Sequence, residues 1–129
     1  MQNSLVDAGP LIALFDKSDA YHNKAVNSLK NHNSRLITTW PVITEVMHMI
    51  SFNHRVQSDF LSWIMKGGIT IAPLNQSHIR RIAELINKFS NVPMDLADAS
   101  LVVIAEEHGI DSIYTIDSDF KVYRITRKK

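Results

Sequence analysis

The sequence predicts an α/β fold in which a central parallel sheet of four to five strands is flanked by helices, with an acidic site at the carboxyl edge of the sheet. Three observations predict it. Short β-branched runs alternate with longer amphipathic stretches, the pattern of successive βαβ units. Proline and glycine stand where the helices should begin and end. Acids, poor strand formers, fall at the ends of strand-like runs, as in "YTIDSDF" (114–120). The chain has 129 residues, which suits one domain, 1–129, with a sizeable core.

The elements follow in order. "NSLVD" (3–7) is a short strand; Gly9-Pro10 breaks it, and Pro10 suits the first turn of a helix. "AYHNKAVNSLKNH" carries Tyr21, Ala25 and Leu29 at four-residue spacing, an amphipathic helix. "RLITTW" (35–40) is strand-like, and Pro41 opens a helix through "VITEVMHMI". "RVQSDFLSWIMKGG" is a helix stopped by its glycine pair. "ITIAPL" (69–74) is a strand. "QSHIRRIAELINKF" is a helix with Ile79, Ile82, Ala83, Ile86 and Phe89 on its apolar stripe. "MDLADASLVVIAEEHG" is a helix capped by Asp95 and ended by Gly109. "DSIYTID" (111–117) is a strand, and "KVYRI" adds a last one. Right-handed crossovers between parallel strands give the sheet one carboxyl edge, where open α/β sheets bind ligands.

Composition narrows the chemistry. There is no cysteine, which removes disulfides, zinc knuckles, iron–sulfur clusters and thiol nucleophiles and suits a reducing, cytoplasmic setting. No apolar run approaches the roughly 20 residues of a membrane span, and "MQNSLVDAGP" does not read as a signal peptide. The net charge of +1 does not advertise nucleic-acid binding, so any such binding rests on local patches. Neither a Walker loop nor G-x-G-x-x-G is present, and no G-x-S-x-G elbow supports a serine triad. Glu45 and His48 form one E-x-x-H pair, but the second copy a di-iron bundle needs is missing. Trp40, Trp63, Tyr21 and Phe60 read as core rather than as platforms for bases.

The acids converge. Asp7 ends the first strand and Asp117 ends "SIYTID"; Asp98 lies in the first turn of the helix after Pro93. Glu45 is four residues past Pro41, roughly 6 Å along the helix, and helical side chains lean back toward the N-terminus. All four map to the carboxyl edge, with Asp119 pointing the same way as Asp117 if the chain stays extended. Each has a plainer reading: a turn with Gly9-Pro10 for Asp7, an N-cap for Asp95, a dipole-favoured first-turn acid for Asp98, a solvated helix acid for Glu45, an Asx turn for Asp117 and Asp119. Together they favour a site, because ionised carboxylates crowd only around a counter-charge. All-oxygen ligands select a hard ion, Mg2+ or Mn2+, and the chemistry implied is metal-assisted hydrolysis of a phosphodiester.

These stretches resemble a known family. "LVDAGPLIALFDKSDAYHNKA", with its Asp19…His22 helix start, "VITEVMHMI" and "DLADASLVVIAEEHGIDSIYTIDSDF" resemble the successive blocks of PIN-domain proteins, and the T-x-D-x-D-F of Thr115, Asp117, Asp119 and Phe120 is the most specific part. The resemblance covers nearly the whole chain. It implies a PIN-like fold and a Mg2+- or Mn2+-dependent endoribonuclease, of the VapC-type toxins of type II toxin–antitoxin pairs, leaving 5′-phosphate and 3′-hydroxyl ends. It implies catalytic acids at Asp7, Glu45, Asp98 and Asp117, metal ligands at Asp7, Asp98, Asp117 and Asp119, and Thr115 bonded to an acid or a phosphate oxygen. Of Asp95 and Asp98, which share a helix face, it selects Asp98. The partners it implies are RNA, a cognate antitoxin and a second copy of the chain, with no membrane. The chain departs from the pattern at Ala8-Gly9-Pro10, where many members carry Ser or Thr close after the first acid. The competing readings are an inactive PIN fold that binds RNA or protein, and a receiver-like phosphoacceptor domain, although "ITIAPL" ends without the acid a receiver needs.

Overall fold

The computed structural model describes residues 2–92, 94–116, 120, 123 and 125–128. Its strands are β1 (Gln2–Val6), β2 (Ser34–Thr38), β3 (Thr70–Ile71), β4 (Ser112–Tyr114) and β5 (Thr126–Lys128), in the spatial order β3-β2-β1-β4-β5 and all parallel. The helices are α1 (Ala8–Phe15), α2 (His22–Lys30), α3 (Trp40–Met49), α4 (His54–Met65), α5 (Ile79–Lys88) and α6 (Leu96–His108), with a 3₁₀ turn at Gln76–His78 before α5. The chain leaves β1 toward β2 on one side and returns beside β1 as β4 on the other. The strand order therefore reverses between β1 and β4, and the crevice of an open α/β sheet lies above such a reversal. The order also differs from the 2-1-3-4-5 arrangement of flavodoxin-like receiver domains, which removes the phosphoacceptor reading.

Local chemistry explains several of the boundaries. Asp7 stands at the N-cap of α1, and its Oδ1 accepts the Ala8 amide at 2.8 Å. Asp19 accepts the Tyr21 amide at 2.8 Å, and the His22 ring donates to the Ala13 carbonyl at 2.7 Å, so the entry to α2 is tied back onto α1. Behind α4, a Cβ on Gly68 would fall 2.2 Å from the Trp63 ring, so only glycine fits there. Gly109 ends α6 in the left-handed region at φ 64°.

The core is built from Leu5, Val6, Leu36, Val46, Leu101 and Ile113, all buried. Helix α6 is buried on nearly every side through Ala99–Ala105, as a helix apolar all round must be. Helix α3 packs against both α1 and α6. The three elements that carry Asp7, Glu45 and Asp98 are thereby packed together.

Several expectations need correction. The core face of α5 is Ile82 and Leu85, flanked by His78 and Phe89 at its two ends, whereas Ile79, Ala83 and Ile86 of the expected stripe are exposed. Contact with α6 decides the face, and a hydrophobic stripe wider than that contact leaves its margin in solvent. Only Thr70–Ile71 of "ITIAPL" pairs as strand, because Pro73 has no amide to extend the ladder. The last strand lies at Thr126–Lys128, beyond "KVYRI". Strand β4 ends at Tyr114, before Asp117.

Candidate active site

The groove at the strand reversal is open, holds about 370 Å³, and is lined by Asp7, Ala8, Gly9, Ile12, Glu45, Met49, Asp95, Asp98 and Ile116. Four of these are acids and none is basic. Asp7 is buried. Its Oδ2 accepts the hydroxyl of Thr115 at 3.2 Å, so β1 and β4 are joined at their carboxyl ends by the acid itself. The backbone bond from the Asp7 amide to the Tyr114 carbonyl, 3.0 Å, continues the ladder to the same point. The expectation that Thr115 bonds an acid holds, and the acid is Asp7.

Asp95 and Asp98 form a reciprocal capping box at the start of α6. Asp95 Oδ1 accepts the Asp98 amide at 2.8 Å, and Asp98 Oδ2 accepts the Asp95 amide at 3.3 Å. The pair gathers two carboxylates at the positive end of the helix dipole. Glu45, half-buried on α3, faces Asp95 across the groove. Its carboxyl is held above the ordinary carboxylate range, first because burial strips water from it and second because Asp95 repels its charge.

Asp7, Glu45 and Asp98 are therefore brought to one groove. Asp117 and Asp119 lie outside the described residues. Among the described residues no three His, Asp or Glu side chains are close enough to hold one ion by themselves. The donor set nonetheless fits a hard divalent cation: among the described residues the lining is all oxygen in its charged groups, has no basic side chain, and includes a carboxyl raised by burial and by the charge of Asp95.

Two features escaped the sequence. Asp95, read as a cap alone, also lines the groove and is the charge that Glu45 meets. An acid at i and another at i+3 of one helix start was the signal available. Trp40, expected in the core, is 58% exposed at the start of α3. It lines, with Leu96, Glu45 and Asp95, an apolar extension of the groove. Trp63, by contrast, packs with Phe15 and Phe60, their ring centres 5.4 and 6.4 Å away. Among the described residues no helix is long and apolar enough to cross a membrane.

Comparison with known proteins bears on the fold and the family. Ribonuclease VapC26 of Mycobacterium tuberculosis (strain ATCC 25618 / H37Rv) is 22% identical over 115 residues, spanning 88% of this chain and 85% of that one. The crystal structure of Mycobacterium tuberculosis VapC20, described as a sarcin-ricin-loop-cleaving toxin, superposes with a TM-score of 0.86 at 17% identity, covering 95% of both chains. At that identity the likeness is one of fold. The PIN domain family model matches residues 4–125, from within β1 to the approach to β5, and on that match this chain belongs to the PIN-domain family.

Proposed function

We propose that this chain is a divalent-metal-dependent endoribonuclease, and that it serves as the toxin of a toxin–antitoxin pair in the cytoplasm. The observation that carries the reading is the groove at the β1/β4 reversal, lined among the described residues by four carboxylates and no basic side chain. Such a lining repels a phosphodiester unless a cation offsets its charge. The relationship to a named ribonuclease and to the fold of an RNA-cleaving toxin supports the same substrate class.

Asp7 and Asp98, with Asp117 and Asp119, are the residues that would hold Mg2+ or Mn2+. The ion, when bound, neutralises phosphate charge and makes a water easier to deprotonate. Asp7 is held for this task by the Ala8 amide at Oδ1 and the Thr115 hydroxyl at Oδ2. Glu45 takes the proton of the attacking water at a carboxylate oxygen, a role suited to a carboxyl whose basicity burial has raised. Hydrolysis breaks the P–O3′ bond, leaving 5′-phosphate and 3′-hydroxyl ends. Trp40, exposed beside Glu45 and Asp95, offers a ring face for an unstacked base where the acids would repel a phosphate. An antitoxin and a second copy of the chain are the expected protein partners.

Labelled single-stranded RNA incubated in EDTA, Mg2+ or Mn2+, beside Asp98→Asn, tests the reading. Cleavage that requires metal and is lost in the variant supports it. Binding without cleavage in any metal, by protein shown to be folded, would move the chain to the inactive PIN class.

A further inference from the structure

We propose that the consecutive threonines Thr38 and Thr39 are positioning residues that set the separation of Asp7 and Asp98 for the metal; the inference rests on the nuclease reading above. Both threonines are fully buried at the carboxyl end of β2, and neither belongs to the groove lining. The Thr38 hydroxyl donates to the Val6 carbonyl at 2.9 Å. That carbonyl is half of the peptide unit whose other half is the Asp7 amide, itself bonded to the Tyr114 carbonyl. The peptide leading into Asp7 is thus clamped from β2 on one side and β4 on the other.

Thr39 acts in the same way on Asp98, at one remove. Its hydroxyl lies 2.6 Å from that of Ser100, which is fully buried in α6 and donates its own proton to the Ala97 carbonyl at 2.7 Å. Thr39 is therefore the donor. The Ala97 carbonyl belongs to the peptide unit that ends in the Asp98 amide, and that amide is held by Asp95. Two adjacent side chains of an extended chain point to opposite sides, so one dipeptide reaches β1 and α6 at once. Thr39 also stands at the N-cap of α3, where a threonine ordinarily caps, yet it makes no side-chain cap bond there. Its hydroxyl is engaged with Ser100 instead.

The alternative is that buried hydroxyls simply need partners. The molecule supplies its own control. Ser4, Ser34 and Ser112 form a second buried hydroxyl chain, with Ser4 at 3.0 Å from Ser34 and 2.9 Å from Ser112. These serines also tie β2, β1 and β4 together, but at the amino-terminal half of the sheet and without touching a peptide next to an acid of the groove.

The test is calorimetric titration of the full chain with Mn2+, alongside thermal melts in EDTA. Thr38→Val and Thr39→Val keep shape and delete the hydroxyl; each is expected to weaken Mn2+ binding about tenfold, the scale of groups that orient metal ligands. Thr39→Ser is expected to bind as wild type does. Ser100→Ala cuts the relay without altering β2 and is expected to match Thr39→Val, which keeps the proposal open to test if one variant does not fold. Ser4→Ala is expected to melt earlier in EDTA, as the threonine variants do, while binding Mn2+ unchanged. Losses in the threonine variants no larger than in Ser4→Ala would overturn the positioning role and leave the nuclease reading standing. Absence of Mn2+ binding by the wild type would overturn both.

Discussion

Thr115 donates its hydroxyl to Asp7 Oδ2 at 3.2 Å across 108 positions of sequence, and both side chains are buried. The bond joins the ends of β1 and β4 at the point where the strand order reverses. A carboxylate held from a neighbouring strand keeps one orientation, which suits the ligand role proposed for Asp7. Replacing Thr115 with Val is expected to lower RNA cleavage by roughly 10–100-fold with little change in RNA affinity. Thr115→Ser should restore most of it. Steady-state kinetics that show equal loss in both variants would contradict the role.

Glu45 carries the clearest trade between stability and activity. Burial and the charge of Asp95 raise its carboxyl in the folded state. The sign follows from linkage: the protonated form is favoured by folding, so its contribution is whole below the ordinary glutamate value of 4.5 and is lost as pH rises through the higher folded value. At neutral pH in EDTA, Glu45→Gln is therefore expected to melt higher than wild type, by roughly 2–4 °C, because the group is only half-buried and solvent screens part of the cost. The gap should close as pH falls toward the ordinary value. Added Mn2+ should raise both melting temperatures, since the proposed ligands are kept in the variant. Cleavage should be lost in the variant at every pH.

Asp95 separates capping from charge. Asn caps a helix as well as Asp does, so Asp95→Asn should melt close to wild type, whereas Asp95→Ala should lose about 1 kcal/mol. Asp95→Asn should nevertheless lower the pKa of Glu45, moving the acidic limb of the cleavage pH profile downward, since one of the two causes of the raised value is gone. An unchanged limb would mean that burial alone sets Glu45.

Trp40 is expected to serve affinity rather than chemistry. Its exposed ring beside the acids suits a stacked base, so Trp40→Ala should raise KM for single-stranded RNA by about tenfold, with kcat nearly unchanged, in line with the roughly 1–3 kcal/mol of base stacking. Trp40→Phe should recover part of the loss.

Arg81 offers a contrast far from the chemistry. Its guanidinium grips Glu106 through two bonds, 2.8 and 2.7 Å, linking α5 to α6 and holding the Glu106 carboxyl below the usual carboxylate range. That contribution is present above the unfolded glutamate value and is lost as pH falls through the lowered one. Both side chains are about half exposed, so Arg81→Ala should cost under about 1 kcal/mol, less in high salt, and leave cleavage intact.

What the sequence determined by itself was the alternation of elements and the edge on which the acids gather. Periodicity and punctuation suffice for that. A short strand-like run ending at Asp7, Pro41 ahead of Glu45, and a capped helix start at Asp95 and Asp98 each fix a position along an element, and parallel crossovers put all those positions at one end of the sheet. Tertiary structure alone decided which groups meet. The spacing in "RLITTW" speaks for a strand but not for where two hydroxyls go. Those of Thr38 and Thr39 find Val6 and Ser100 only because β1 and α6 pack on either side. The apolar stripe of α5 is wider than its buried face for the same reason, since Ile79 and Ile86 would be core only if a further layer covered them. Asp95 looked like a cap because capping is local, whereas its repulsion of Glu45 depends on the contact between α3 and α6. Local chemistry is carried by neighbours in sequence, and a site of carboxylates drawn from separate elements exists only once the chain has closed on itself.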